Sequence, residues 1–278
     1  MVEDGLPPLR DVIARHDLGA KKSLGQNFLF DLNLTRRIAR SAEPLQGFTI
    51  VEIGPGPGGL TRALLMEGAS RVVAIERDER TLPALAEISA VYPDKLNVMA
   101  EDALAVDWAK TISGPAKIVA NLPYNVATVL LTGWLTQGAW PPWFSSLTLM
   151  FQKEVAERIV AKPGGKDYGR LSVLCQHRCD ARKLFDVNRS AFTPAPKVTS
   201  SIVQLIPKPA TDCDVKDLEK VTASAFGQRR KMLRSSLKGA FDNPEGVLNE
   251  LNINPELRAE QLPVSDFVRL ARAFTAPS

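Results

Sequence analysis

The 278-residue sequence is short of the residues that most often mark a compartment or a reaction: it has three cysteines and two histidines. Cys175, Cys179 and Cys213 form neither an even set nor a C-x-x-C pair, which excludes a disulfide framework and fits a reducing compartment. Cys175 and Cys179 stand one helical turn apart with only His177 nearby, so buried thiols are expected there rather than zinc, and no metal is expected elsewhere. Long apolar runs are missing as well. The longest, such as 126–131, fall far short of the roughly 18 residues a bilayer span needs, so no membrane partner is expected. The first ten residues carry Glu3 and Asp4 and lack an apolar signal core or an Arg/Ser-rich transit pattern, and a cytoplasmic protein is expected. Charge of one sign is scarce: 35 basic against 31 acidic residues leave +4, too mild to name a polyanionic partner. A content of 45% hydrophobic and 24% charged residues lies in the globular range, and the length suits one large domain with a smaller appendage.

From residue 49 to 149 short β-branched runs alternate with helical stretches, the rhythm of βαβ units and a mainly parallel sheet. Strands are predicted at 49–53, 71–75, 96–100, 117–120 and 146–150, with crossover helices at 60–67, 81–90 and 127–136. A charged helix to Ala161, a loop over 163–169 and strand-like stretches at 183–187 and 200–206 follow. Pro207 and Pro209 then break the pattern, and helices without strands are expected at 215–238, 244–251 and 264–274. The expected fold is α/β, a Rossmann-like sheet with helices on both faces over residues 1–207, followed by a small all-helical domain over 208–278.

In such sheets ligands bind outside the carboxyl ends of the strands. The first predicted strand runs into Gly54-Pro55-Gly56-Pro57-Gly58-Gly59, where Gly54, Gly56 and Gly59 satisfy G-x-G-x-x-G, and Glu76 ends the second strand 22 positions after Gly54. Glycine lets backbone approach a ligand, and a carboxylate at that strand end accepts bonds from two ribose hydroxyls. NAD and S-adenosylmethionine both contain adenosine, so this pair of features leaves both open. Asp102, at the third strand end, could accept an adenine amine.

The fourth strand ends in Asn121-Leu122-Pro123-Tyr124, which resembles the catalytic loop of adenine-N6 methyltransferases. The exocyclic amine of adenine is a poor nucleophile because its lone pair is delocalised into the ring. The Asn121 side-chain oxygen and the Leu122 carbonyl can accept its two N–H groups and favour a pyramidal nitrogen, while Pro123 stiffens the loop. Tyr124 offers a flat face to an unstacked base, and Phe192, in Phe192-Thr193-Pro194-Ala195-Pro196-Lys197-Val198, is the candidate for the opposite face. Either aromatic could instead be core.

Preceded by Lys21-Lys22-Ser23-Leu24-Gly25-Gln26-Asn27-Phe28-Leu29 and followed by Phe226-Gly227-Gln228-Arg229-Arg230-Lys231, these motifs together resemble the KsgA family of rRNA adenine dimethyltransferases, on its bacterial small-subunit branch. The resemblance implies that Gln26, Asn27 and Leu29 lie in a loop closing over S-adenosylmethionine, and that Gly54, Glu76, Asp102 and Asn121 match further cofactor contacts. It implies transfer of four methyl groups to two adjacent adenosines in a hairpin loop near the 3′ end of 16S rRNA, within a partly assembled 30S subunit, by a monomer. Lys21, Lys22, Arg229, Arg230, Lys231 and Arg234 are the candidate RNA contacts, the last four on a predicted helix that gathers five cations between 229 and 238 without an acid. Three alternatives stay open: an NAD-dependent dehydrogenase, a non-catalytic RNA-binding factor on the same fold, and a related enzyme acting on large-subunit rRNA or DNA.

Overall fold

A strand buried on both faces reads as a mostly apolar run, and two such segments, Thr49–Ile53 and Ala116–Ala120, are buried at every position although each carries one charged residue, Glu52 and Lys117. In the computed structural model, which describes residues 4–20 and 25–275, they form the middle of the sheet. The chain divides into two units, one of residues 1–130, 142–153 and 183–206, the other of 131–141, 154–182 and 207–278.

The first unit runs α1 (Leu9–Arg15), β1 (Phe28–Leu29), α2 (Leu32–Arg40), β2 (Thr49–Ile53), α3 (Gly59–Met66), β3 (Arg71–Ile75), α4 (Leu82–Val91), β4 (Leu96–Met99), α5 (Trp108–Thr111), β5 (Ala116–Ala120) and α6 (Tyr124–Thr136), which carries the chain into the second unit. It continues with β6 (Phe144–Gln152), β7 (Cys179–Val187), which enters from the second unit, β8 (Phe192–Thr193) and β9 (Ser200–Pro207). The sheet order is β4-β3-β2-β5-β6-β9-β7. β2 pairs in parallel with β3 and β5, β3 with β4 and β5 with β6, whereas β9 lies antiparallel to β6. After β2 the chain builds outward through β3 and β4, then returns to the other side of β2 as β5. That reversal opens a crevice beyond the carboxyl ends of β2 and β5, where Gly54 and Asn121 follow. One apolar cluster, including Ile38, Ile50, Leu64, Val72, Leu85 and Phe192, holds helices to this sheet.

The predicted strands and crossover helices occur with ends moved by up to three residues. Sequence periodicity does not reveal α2, whose start is capped by the Asp31 carboxylate accepting the Asn33 N–H at 2.9 Å, nor the two-residue pair of β1 with β8.

The second unit contains α7 (Lys153–Val160), whose first residue still counts with the first unit, α8 (Arg170–Arg178), α9 (Val215–Gly227), α10 (Leu233–Ser236), α11 (Pro244–Glu250) and α12 (Val264–Thr275). Its own core gathers Tyr168, Leu218, Val221, Leu237 and Phe267, with the Phe226 ring stacked on Phe267 at 5.4 Å between centroids. The single helix predicted over 215–238 is broken into two. α9 ends at Gly227, Gln228 leaves helical geometry at φ −125° and ψ 63°, and Met232 pairs with Arg258 in an isolated bridge before α10 begins. Arg229, Arg230 and Lys231 therefore occupy a turn and do not share one helical face with Arg234 and Lys238.

Candidate active site

The glycine loop follows β2 directly. Gly56 has φ +55°, and its N–H donates to Glu76 Oε2 at 2.8 Å; a Cβ there would stand 3.1 Å from the Phe28 ring. Gly58, at φ +88°, is more constrained, since a Cβ would fall 2.2 Å from Ile88 Cδ1. It is Gly58, more than Gly59, whose conformation demands glycine at the start of α3, although the literal G-x-G-x-x-G spacing selects Gly59.

Glu76 directly follows β3 and is 6% exposed. Its Oε2 accepts the Gly56 N–H and its Oε1 accepts the Asp78 N–H at 2.7 Å, so the carboxylate is held rigidly while each oxygen keeps a further lone pair. Burial raises its pKa, against the pull of those backbone bonds. An acceptor pair of this kind fits the vicinal hydroxyls of a ribose. Glu52, on β2, is the group that motif reasoning misses. It lines the same cavity, is 1% exposed and accepts the Thr61 hydroxyl at 2.6 Å. Burial pushes its carboxyl up to about 8, and the neighbouring Glu76 charge adds to the effect. The signal was an acid inside the otherwise apolar run T-I-V-E-I. Asp102 lies nearer solvent, accepting the Leu104 N–H at 3.0 Å with Arg77 Nη1 3.3 Å from its other oxygen.

Beyond β5 the loop Asn121-Leu122-Pro123-Tyr124 meets residues 25–29. Asn121 Nδ2 donates to the Asn27 carbonyl at 3.3 Å, and a Cβ on Gly25 would approach Asn125 Oδ1 to 3.0 Å. Gln26 donates to Asp78 Oδ2 at 2.8 Å, and Asp78 also accepts from Arg80, the main reason its pKa lies below the usual carboxylate range. Gln26, Asn27, Leu29, Gly54, Gly56, Glu76, Asp102, Asn121, Leu122, Pro123 and Tyr124 all line one cavity.

Phe192 is not brought to that cavity. It is 3% exposed and packs in the core of the first unit, where its apolar surface is already covered; its strand partner Leu29 and the adjacent Phe28 line the wall instead. In this conformation Phe192 therefore occupies a core position and does not face Tyr124 across the cavity. Lys21 and Lys22 lie outside the described residues. In the second unit Arg229 donates to the Lys166 and Tyr168 carbonyls, Arg234 Nη1 stands 3.7 Å from Glu256, and Arg230 and Lys231 are exposed.

Comparison with known proteins identifies the family of the chain. Residues 18–276 match the family described as ribosomal RNA adenine dimethylase. The ribosomal RNA small subunit methyltransferase A of Xanthobacter autotrophicus is 62% identical over 98% of this chain and 95% of its own length, and that of Sinorhizobium medicae is 60% identical over 98% of each. Among solved structures, a dimethyladenosine transferase from Plasmodium falciparum is similar with a TM-score of 0.76 at 27% identity, covering 89% of this chain and 97% of that one. The 23S rRNA methyltransferase ErmE is similar with a TM-score of 0.69 at 25% identity, covering 90% and 100%. On the extent of these matches, the chain belongs to the ribosomal RNA adenine dimethylase family.

Proposed function

We propose that this protein dimethylates the N6 amines of two adjacent adenosines in the hairpin loop near the 3′ end of 16S rRNA, with S-adenosylmethionine as methyl donor and the small (30S) ribosomal subunit as substrate, late in subunit assembly. The observation that carries the reading is that Asn121 to Tyr124 open onto the same cavity as Gly56 and Glu76. A target-amine site and a ribose site are thus contiguous. The small-subunit relatives, at about 60% identity, favour this substrate over a large-subunit one.

The residues present fit the cofactor. Glu76 offers two oriented acceptors for ribose, Gly56 admits close approach of the backbone, and Asp102, which lines the same cavity, is the acceptor for the adenine amine in this reading. When bound, S-adenosylmethionine supplies an electrophilic sulfonium methyl. The chain's own part is to prepare the nucleophile. With Asn121 Nδ2 engaged by the Asn27 carbonyl, Oδ1 remains as the acceptor of that amide, available to one N6–H, and the Leu122 carbonyl accepts the other. Drawing both hydrogens aside localises the nitrogen lone pair for in-line attack. Tyr124 supplies a stacking face. A side-chain general base is not required, since the alkylated amine is acidic enough to give its proton to water; His16 pairs instead with Glu87 at 2.7 Å, and His177 belongs to the second unit.

In this reading residues 1–207 carry catalysis and residues 208–278 bind RNA through Arg229, Arg230, Lys231 and Arg234, with Lys21 and Lys22 as further contacts. The protein works as a monomer in the cytoplasm. Among the described residues no helix is long and apolar enough to cross a membrane. The test is to incubate purified protein with labelled S-adenosylmethionine and either unmethylated 30S particles or large-subunit RNA, then digest and identify the nucleosides. N6,N6-dimethyladenosine only from the 30S sample is expected. Label in the large-subunit sample alone would overturn the substrate assignment.

A further inference from the structure

Besides the bond from Asn121 to the Asn27 carbonyl, the catalytic loop is tied to the sheet through Tyr124. The Tyr124 hydroxyl lies 2.5 Å from Ser200 Oγ, a hydrogen bond that links the loop following β5 to the strand β9. Ser200 is fully buried, and it is the first residue of β9, in register opposite Gln152 of β6. The backbone on either side is equally fixed, because the Lys153 N–H donates to the Thr199 carbonyl at 2.9 Å. Tyr124, by contrast, is partly exposed, lines the cavity, and sits at the first position of α6.

A phenol ring has two side-chain torsions, and a bond at its para oxygen to an immobile partner restrains both. Such a restraint matters where a ring must present its face rather than merely fill space, because a base stacks only on a ring held at the right tilt. The hydroxyl pair is also well suited to persist: burial raises the Tyr124 phenol's pKa, so it stays protonated in neutral solution. Ser200 further closes the segment of residues 193–199, whose other end is the β8 pairing with β1, so one hydroxyl ties the proline-containing loop to the catalytic loop.

We propose that Ser200 is a positioning residue for methyl transfer, its hydroxyl fixing the Tyr124 ring so that the target adenine is held in attacking geometry. The inference rests on the function proposed above and adds a residue that touches neither cofactor nor adenine. A one-ångström misplacement of a reacting group is enough to cost rate, so the effect belongs in the transfer step rather than in cofactor binding.

The experiment is a double-mutant cycle with full-length protein, S-adenosylmethionine and unmethylated 30S particles. Single-turnover transfer rate, apparent KM for particles and cofactor affinity are measured for wild type, Ser200→Ala, Tyr124→Phe and the double variant. Each single variant is expected to lower the transfer rate about tenfold, with cofactor affinity unchanged within about twofold. The double variant is expected to be no slower than either single one, since both remove the same bond. Ser200→Thr, which keeps a hydroxyl, should recover most of the rate, and thermal midpoints check that all variants fold. A Ser200→Ala rate within twofold of wild type, or losses that add in the double variant, would overturn the proposal. A wild type that methylates nothing overturns the function and this inference together, whereas an active wild type with uncoupled variants overturns this inference alone.

Discussion

Asn121 Nδ2 and the carbonyl oxygen of Asn27 are 3.3 Å apart, so the side chain assigned to the target amine is oriented by the backbone of the loop assigned to the cofactor. The two halves of the reaction are joined at this contact, and loss of the amide should be felt mainly as the transition state forms. Asn121→Ala is expected to lower single-turnover transfer at least a hundredfold while changing cofactor affinity by less than about fivefold. Transfer surviving within about tenfold, roughly 1.4 kcal/mol, would remove Asn121 from its role.

Glu76→Ala should show the opposite pattern. Its oxygens hold Gly56 and Asp78 in place and offer the remaining lone pairs to ribose, so the cofactor Kd is expected to rise by tenfold or more. At saturating cofactor, the transfer rate should recover to within a few-fold of wild type. Titration calorimetry with S-adenosylmethionine, and separately with NAD as a control that should show no binding, measures this directly.

Glu52 gives a stability that depends on pH with a definite sign. Its folded pKa of about 8 lies above the ordinary value of 4.5, so between those values the folded protein holds a proton that the unfolded chain has released. Stability from this group is therefore full below about pH 4.5 and declines as pH rises toward 8. Glu52→Gln removes the titration. In urea denaturation at pH 5 and pH 8, the variant should gain on wild type at the higher pH, and a constant difference between the two would show that Glu52 ionises freely.

The basic turn of the second unit should divide by residue. Arg229 donates to two carbonyls of the segment before α8, so Arg229→Ala should destabilise the protein by about 0.5 to 1.5 kcal/mol. Arg230 and Lys231 are exposed, and replacing both with Ala should leave stability unchanged. If they meet phosphates, the log–log salt slope of 30S binding should fall by about 0.7 to 0.9 per residue. Denaturation curves and a salt series of particle affinities separate the two effects.

Sequence and structure agree most where burial alone sets conformation. β3 is read without ambiguity because Arg71–Ile75 is a β-branched run bounded by turns, and the nucleotide crevice follows from strand order. β1 and β8 are two residues each, too short for any periodicity, yet their pairing is what turns Phe192 into the core beside Leu29. The end of α9 was equally hidden. Residues 228–238 are good helix formers, but Gln228 leaves helical geometry after Gly227 and Met232 pairs instead with Arg258, a contact that no local pattern encodes. Glu52 has no motif of its own; its burial, its place on the cavity wall and its bond from Thr61 all come from the tertiary fold.

Whether this chain places N6,N6-dimethyladenosine on small-subunit rRNA is read by mass spectrometry of 16S rRNA from cells with the gene deleted. Two adjacent dimethyladenosines near the 3′ end should become unmodified, returning when the wild-type protein is restored but not when Asn121→Ala is supplied. Full dimethylation in the deleted cells would mean that another enzyme makes this modification.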